Sequence, residues 1–496
     1  MSLIGIDLGS SSVKAMAYSI DGEALGEGKG ETESIHDFDG QWEQDPEKVW
    51  DSVRGAIREL MACEKLRKDP PTAIAVGASG RENYPADASG CALLNNLMGG
   101  DGRGSEYEVT EEGVKRPEPW EIACGHPRER QDPIFRYHWR MKNYPDKMAK
   151  IKYYPDWHGL VTLKMCGRNV SDPSMLSRWA AFDLEKAKWT EELIDRFEFP
   201  RELLPEVKAS GEPIDKISDK VAEDLGLPKG VLLVTGGSDI NCCALGFGVT
   251  EEGMSGLISG TYENMIVTTN RLCTADILLK GLSMMYHVGG KMHRSVIAVA
   301  PTGNALLNWA RETVNISIED MDAALKNAKA PSTVLTLPYV SSAFMYWENG
   351  RNLRAAVLGA TLATKPSDIV QAFMESVAYD HVNTMSLLKS SDIIVNRIRA
   401  TGGGTRDEWW TQLKSDITGV PIEVMSTEEP GTFGAALLAG KGAGVYKDVD
   451  ETSVAICKVQ KVYEPDPKRA EMHKERMALY NRAVPALNTH VFGQWC

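Results

Sequence analysis

Asp7 stands at the end of an apolar run, Leu3-Ile4-Gly5-Ile6, and is followed by Gly9, three hydroxyl residues, Ser10, Ser11 and Ser12, and then Lys14. A carboxylate, a row of backbone N–H groups, hydroxyl donors and a cation at one point suit the phosphates of a magnesium-bound nucleotide, because glycine admits close backbone approach. The spacing is not that of the Walker A loop, and an ordinary hairpin with a capped turn fits the same residues. Ser259-Gly260-Thr261 is a similar turn in the other half of the chain; two such turns facing each other would clamp phosphates. Thr401-Gly402-Gly403-Gly404-Thr405 lies between an apolar strand, Ile398 to Thr401, and a helix through Trp409, Trp410 and Gln412. Three glycines there let the backbone lie against a flat or anionic group at a helix N-terminus, with a flexible turn as the alternative. Asp239 follows Gly236-Gly237-Ser238 at the mouth of a strand, a rigid place for a general base and equally a place where Asp caps a helix.

Those residues need a scaffold of strands and helices. Leu3 to Gly22 reads as two strands joined by the Gly/Ser turn, and Asp21-Gly22 leads into a third, giving a meander. Asp45 caps a helix predicted from Pro46 to Leu66. Ala73 to Ala78 is a short apolar strand ending in Ser79-Gly80, so strands and helices alternate as in an α/β fold. From about 99 to 154 the chain is rich in charge, proline and aromatics, with a weak helical pattern from Phe135 to Lys142, and reads as a surface insertion or lid. After a turn at Gly211-Glu212-Pro213, a strand from Gly230 to Thr235 runs into the Asp239 turn and a small-residue helix, Ile240 to Gly246. The strand Gly256 to Ser259, the turn and the strand Glu263 to Thr268 restart the opening arrangement. Glu429 to Ala439 reads as a capped helix whose small residues permit tight packing on a sheet. The likeness lies between half-chains, which places a domain boundary near Gly248 and gives domains 1–248 and 249–496.

Composition fits this organisation. The chain has 496 residues, 43% of them hydrophobic, enough for two large domains. Its net charge of −14 argues against non-specific nucleic-acid binding, which needs basic patches, and leaves room for a basic pocket that takes an anionic ligand. Nine cysteines without a CxxC pair make neither a zinc site nor a disulfide framework. Reduced thiols in a cytoplasm are the expectation, and adjacent Cys242 and Cys243 suit small buried side chains better than a catalytic thiol. The N-terminus reaches Asp7 before an apolar stretch develops, which argues against a signal peptide, and apolar runs such as Val231 to Val234 fall short of a membrane span.

Taken together, the motifs resemble the FGGY carbohydrate kinases, within the superfamily of sugar kinases, actin and heat-shock chaperone ATPases. Ile6 to Lys14 looks like the family's first phosphate motif, and Gly40 to Pro46 like its Trp-x-Glu-Gln-Asp-Pro segment. Leu163 to Gly167 with Ser171 to Ser174 is similar to its Leu-Thr-Gly…Asp-x-Ser stretch. Gly236 to Asp239 resembles the segment of the catalytic aspartate, Gly402 to Gln412 with Phe433 to Ala436 the adenosine-side motifs, and Tyr463 to Pro467 the tail. The resemblance implies two ribonuclease-H-like α/β domains around a central cleft, the first holding a sugar or polyol and the second ATP. It implies Asp239 as the base, Asp7 as a Mg²⁺ holder through water, and Gly9, Ser10, Ser11, Lys14, Gly260 and Thr261 at the phosphates. Gly303, Gly403, Gly404 and Glu408 would lie at the nucleotide.

The acceptor side departs from the xylulose kinases. Those carry Gln-Met-His after Ser-Gly, where this chain has Arg81 and Glu82, as in glycerol kinases and autoinducer kinases. Arg81 can donate to adjacent hydroxyls and Glu82 can accept from them; a strand-end salt bridge is the alternative. The family's Trp-x-Asp-x-Arg appears as Gly99-Gly100-Asp101-Gly102-Arg103, which keeps Asp101 and Arg103 as candidate sugar contacts and loses the aromatic. After the aspartate the xylulose and glycerol kinases have Asn or Gln, whereas here Ile240 intervenes before Asn241, so the expectation is a lost polar contact, as in the autoinducer kinases, with Asn241 kept as a candidate substrate contact. The expectation is an ATP-dependent kinase of a short sugar, ketose or polyol, with a small-hydroxyketone kinase as the near alternative. A weak sugar-sensing or chaperone-like ATPase is the alternative of another class. A homodimer is compatible with the sequence.

Overall fold

The computed structural model describes residues 1–38, 40–80, 82–107, 116–127, 132–290, 294–300, 303–328, 331–340 and 353–494. Arg81 lies outside them. The elements that carry the site are β1 (Ser2–Leu8), β2 (Ser12–Ser19), β3 (Ala24–Glu31), α1 (Pro46–Met61), β4 (Pro71–Ala78), α2 (Pro133–Asn143), β5 (Pro213–Lys216), β6 (Leu232–Ser238) and α3 (Asp239–Gly246). In the second half they are β7 (Met254–Ser259), β8 (Glu263–Thr269), β9 (Ser283–Tyr286), β10 (Arg294–Ala300), α4 (Pro366–Lys389), β11 (Arg397–Thr401), α5 (Glu408–Thr418), β12 (Ile422–Met425), α6 (Pro430–Gly442) and β13 (Val459–Tyr463).

The first sheet has the order β5-β6-β4-β1-β2-β3 and the second β9-β10-β8-β7-β11-β12-β13. In each, three antiparallel strands (β3-β2-β1 and β10-β8-β7) continue into two parallel strands and an antiparallel edge, and in the second sheet β9 adds a further antiparallel strand outside β10. The likeness between half-chains is therefore a repeated sheet, differing in that its edge strand precedes its neighbour in the first half (β5, β6) and follows it in the second (β12, β13).

Strand periodicity assigns the faces. Ile4, Ile6 and Leu8 on β1 join Val49, Val53 and Ile57 of α1 in one buried cluster. Leu3, on the opposite face, joins Leu245 of α3, Leu437 of α6, and Met254, Ile266 and Met425 of the second sheet. Helices α3 and α6 thus form a layer between the two sheets, and α6, late in the chain, lies on the first sheet.

This central layer is close-packed through glycine. A Cβ at Gly5 would lie 1.7 Å from the Thr432 carbonyl oxygen, one at Gly246 1.9 Å from that of Pro430, and one at Gly434 1.9 Å from that of Cys242. These neighbours are backbone, which no rotamer change can move. Gly434→Ala should therefore lower the thermal midpoint, at a cost of about 1–3 kcal/mol for forced repacking. At Gly55 in α1 nothing lies within 4 Å of an added Cβ. Gly55→Ala should stabilise by roughly 0.5–1 kcal/mol, and a melting series on the two variants checks both signs.

Three expectations are adjusted. The helix expected from Pro46 to Leu66 stops at Met61, Cys63 is extended, and a short helix Glu64–Lys68 follows. The break returns Leu66 to the core beside Leu60, which an unbroken helix could not do at six residues' separation. The strand expected to end at Thr235 runs on to Ser238. The aromatics of the 99–154 stretch are largely buried: Trp120, Phe135, Tyr137 and Tyr154 share a core with Trp179, Phe182, Phe197 and Phe199. Among the described residues no helix is long and apolar enough to cross a membrane.

Candidate active site

Asp7 and Asp239 are brought together by register. Asp7 pairs with Gly77 on β4, and Gly77 pairs with Gly237 on β6, so two strand spacings, about 10 Å, separate Asp7 from Gly237. Asp239 begins α3 two residues later. Its cap position is taken by Ser238, and its Oδ1 accepts from its neighbour Ile240 N at 2.7 Å. Asp7 shares the face of Leu3 and Gly5 and meets the first turn of α6, where a Cβ at Gly431 would lie 2.6 Å from its Oδ2.

Both carboxylates are only partly exposed. Burial, then the Asp7 and Glu82 carboxylates, push Asp239 up to about 7, against the Ile240 N–H and Arg178. Burial and Glu429 raise Asp7 to about 6, against the pull of Lys14. Lys14 itself is ion-paired with Glu429, which stands at the N-cap position of α6 but makes no capping hydrogen bond through its side chain. Two raised carboxyls in one gap are the pattern of a general base beside a cation holder.

The strand end carrying Asp239 is braced from behind. Ser174 Oγ accepts the Ser238 N–H at 2.8 Å and donates to Asp172 Oδ1 at 3.0 Å, and Ser210 Oγ donates to Asp172 Oδ2 at 2.7 Å. His158 Nε2 accepts the Gly236 N–H at 3.0 Å, which fixes its other nitrogen as a donor to the Val170 carbonyl. Ser171 to Ser174 was legible as part of a family-like stretch; the bond from Ser174 to the strand that carries Asp239 was not.

The two Gly/hydroxyl turns share a construction. In the first, the Ser10 carbonyl accepts from Gln44 Nε2 at 2.6 Å and the Ser11 carbonyl from Thr32 N at 3.2 Å. In the second, the Gly260 carbonyl accepts from Asn304 N at 2.9 Å and the Thr261 carbonyl from Gly303 N at 3.0 Å. A trans peptide points its N–H opposite its C=O. The N–H groups of Ser11, Ser12, Thr261 and Tyr262 therefore face away from the scaffold, as phosphate oxygens require. Gly402, at φ +100°, turns the chain after β11 so that Gly403 and Gly404 lie against Asn304 and Ser259.

Other candidates are placed differently. Glu82 is buried and accepts from Ser79 Oγ at 2.7 Å. Asp101 is fully buried and Arg103 is bound to it and to Glu43, while Asp101 also accepts the Trp42 N–H. Their loop is held by buried Arg136 of α2, which donates to the carbonyls of Leu97, Met98 and Asp101 at 2.6, 2.7 and 3.0 Å. Asn241 is buried, donating to Ser238 Oγ and accepting from Ser295 Oγ on β10 at 2.7 Å, so its amide ties the halves together. Glu408 is an exposed partner of Lys461. Burial pushes the Cys242 and Cys243 thiols well above their usual range, which suits packing and not nucleophilic attack.

Among the described residues no group of three or more His, Cys, Asp or Glu could hold a metal ion. The donors instead fit Mg²⁺, which keeps most of its water and takes one or two carboxylates besides phosphate. Asp7, raised by burial and then by Glu429, is a carboxylate that such a cation would relieve.

Two mixed sheets that share a six-strand arrangement, each with a Gly/hydroxyl turn after its first strand, and with Asp7 and Asp239 at strand ends of the first, have the architecture of the actin-like ATPase fold. Residues 2–246 match the FGGY family of carbohydrate kinases, N-terminal domain, and 257–443 its C-terminal domain, and the chain belongs to that family. It is 24% identical over 499 residues to the L-xylulose/3-keto-L-gulonate kinase of Escherichia coli, spanning 98% of this chain and 97% of that one. It is 25% identical to the glycerol kinase of Ectopseudomonas mendocina over 96% of each. The ligand-bound xylulose kinase of Lactobacillus acidophilus superposes with a TM-score of 0.89 at 22% identity over all of both chains. The glycerol kinase of Plasmodium falciparum with ADP does so at 0.86 and 19%, over 97% of each. FGGY kinases use ATP, and the protein is a carbohydrate kinase acting on an alcohol group of its acceptor.

Proposed function

We propose that the protein transfers the γ-phosphoryl group of ATP to a primary hydroxyl of a short sugar, ketose or polyol. The observation that carries this reading is the pair Asp7 and Asp239, both raised toward neutrality, set across one strand and facing the turns. ATP with Mg²⁺ supplies the phosphoryl group and neutralises the charge developing on it. Asp239, held by Ser238 and Ser174 behind it, accepts the proton of the attacking hydroxyl; a group titrating near 7 is matched to that task. Asp7 would hold the cation, whose charge would offset that of the phosphates. The outward N–H groups beside Gly9, Ser10 and Ser11 and beside Gly260 and Thr261 bind phosphate, with Lys14 as the nearby cation. Gly303, Gly403 and Gly404 flank the nucleoside.

In the first half, Glu82 accepts from acceptor hydroxyls, and Arg81 next to it in sequence is a donor. Asp101, Arg103 and Asn241 act one step back, through the loops and strands they tie. The test is ATP turnover with and without a panel spanning glycerol, erythritol, the xylulose isomers and small hydroxyketones. One class of acceptor should raise turnover by orders of magnitude. Turnover indifferent to every acceptor sinks the reading in favour of a hydrolytic ATPase.

A further inference from the structure

Ser259, the last residue of β7, is the point where three turns meet. A Cβ at Gly404 would lie 2.1 Å from its Oγ, and one at Gly402 2.6 Å from its carbonyl oxygen. Gly260 follows it in the chain, and a Cβ at Gly303 would lie 3.0 Å from Cγ of Glu263. Gly402, Gly404 and Gly303 thus pack on Ser259, Glu263 or the turn between them, while Gly403 lies against Asn304.

Beneath them lies a charged cluster drawn from four elements. Ser259 Oγ donates to Glu263 Oε1 at 2.6 Å, and Lys414 of α5 forms an ion pair with that same oxygen and lies 3.4 Å from Ser259 Oγ. His381 of α4 places Nε2 2.5 Å from Glu263 Oε2. Lys414 Nζ also sits 3.7 Å from the centre of the Trp410 ring. Ser259 and Glu263 are 0% exposed, and His381 and Lys414 2%. Burial works to raise the Glu263 carboxyl, yet Lys414 and His381 hold it down at about 2.

A buried ion pair fills a core no better than apolar residues of equal volume. It supplies direction instead: a carboxylate with three donors fixes the Ser259 side chain in one orientation. We propose that Glu263, Lys414 and His381 are positioning residues for the nucleotide, setting through Ser259 the spacing between the Gly260-Thr261 turn and the Gly402–Gly404 turn. The inference rests on the nucleotide reading of those turns given above, and none of the three touches phosphate or base.

Two variants test it in the full chain. Glu263→Gln keeps the shape and removes the charge; Ser259→Ala leaves the ion pair and cuts its link to the turns. Magnesium-ADP binding is measured by calorimetry, alongside KM for ATP and for the best acceptor of the panel. In both variants the magnesium-ADP Kd and the ATP KM should rise about tenfold, while the acceptor KM stays within twofold. A magnesium-ADP Kd within twofold of the parent in folded Ser259→Ala overturns the proposal, even where Glu263→Gln fails to fold. So does an equal rise in the ATP and acceptor constants, which marks a general structural role. A parent chain that does not bind magnesium-ADP removes the nucleotide reading itself, and the proposal with it.

Discussion

Asp239→Asn should lose acceptor-dependent turnover by roughly 10²–10⁴-fold and, at the same time, melt higher than the parent. The amide keeps the carboxylate's shape but cannot take the hydroxyl proton. The gain in stability follows from the raised carboxyl, about 7 against a reference of 3.8. A group whose folded value is raised contributes stability that is fully present below about pH 4 and is lost as pH rises through 7. The parent bears that loss at pH 8 and the variant does not, a difference on the order of 2–4 kcal/mol. Melting curves should therefore nearly coincide at pH 4 and diverge by pH 8. In the parent, kcat/KM for the acceptor should rise with pH up to about 7. An asparagine variant that melts with the parent at every pH would contradict the burial argument, and one that keeps its turnover would remove Asp239 as the base.

Asp7→Asn is the second large effect. Turnover should fall on the order of 10²-fold or more, and half-saturation by Mg²⁺ should move to higher concentration, as the cation loses its protein carboxylate. This variant also carries a signature at a distance. The Asp7 charge is one cause of the raised Asp239, so an uncharged amide at position 7 should let Asp239 titrate below 7. Carboxyl-carbon NMR titration of the nucleotide-free protein reads that shift directly. An Asp239 titration that does not move would show that the two groups are not electrostatically joined.

The turns and the strand-end position of Asp239 were legible in sequence because their signals are local. Glycine next to hydroxyls at the end of an apolar run can be read without knowing the fold, and register alone then brought Asp7 beside Gly77 and Gly237. Sequence adjacency was a poorer guide to direction. Glu408 follows the glycine turn closely yet begins α5 on its exposed face beside Lys461, and Asn241 is two residues from Asp239 yet turned inward to Ser295. Asp101 and Arg103 were recognisable as a pair, but that they bind one another depends on a loop held by Arg136, some thirty residues away. The cluster under Ser259 was not legible at all, since residues 259, 263, 381 and 414 meet only through packing of two strands and two helices. Its one sequence trace is Glu263, the sole charge in β8, a strand that is otherwise neutral.

The placement of α6 on the first sheet also bears on synthesis. All six strands of that sheet have been made by Ser238, but the helix that covers its inner face ends at Gly442, 204 residues later (442 less 238). At ribosomal speeds of about 5–20 residues per second, the nascent first half waits roughly 10–40 s with Leu3, Ala73, Ala75 and Val234 uncovered by their partner. The first half therefore cannot complete the cover of that face as it emerges, and its folding is tied to the synthesis of the second.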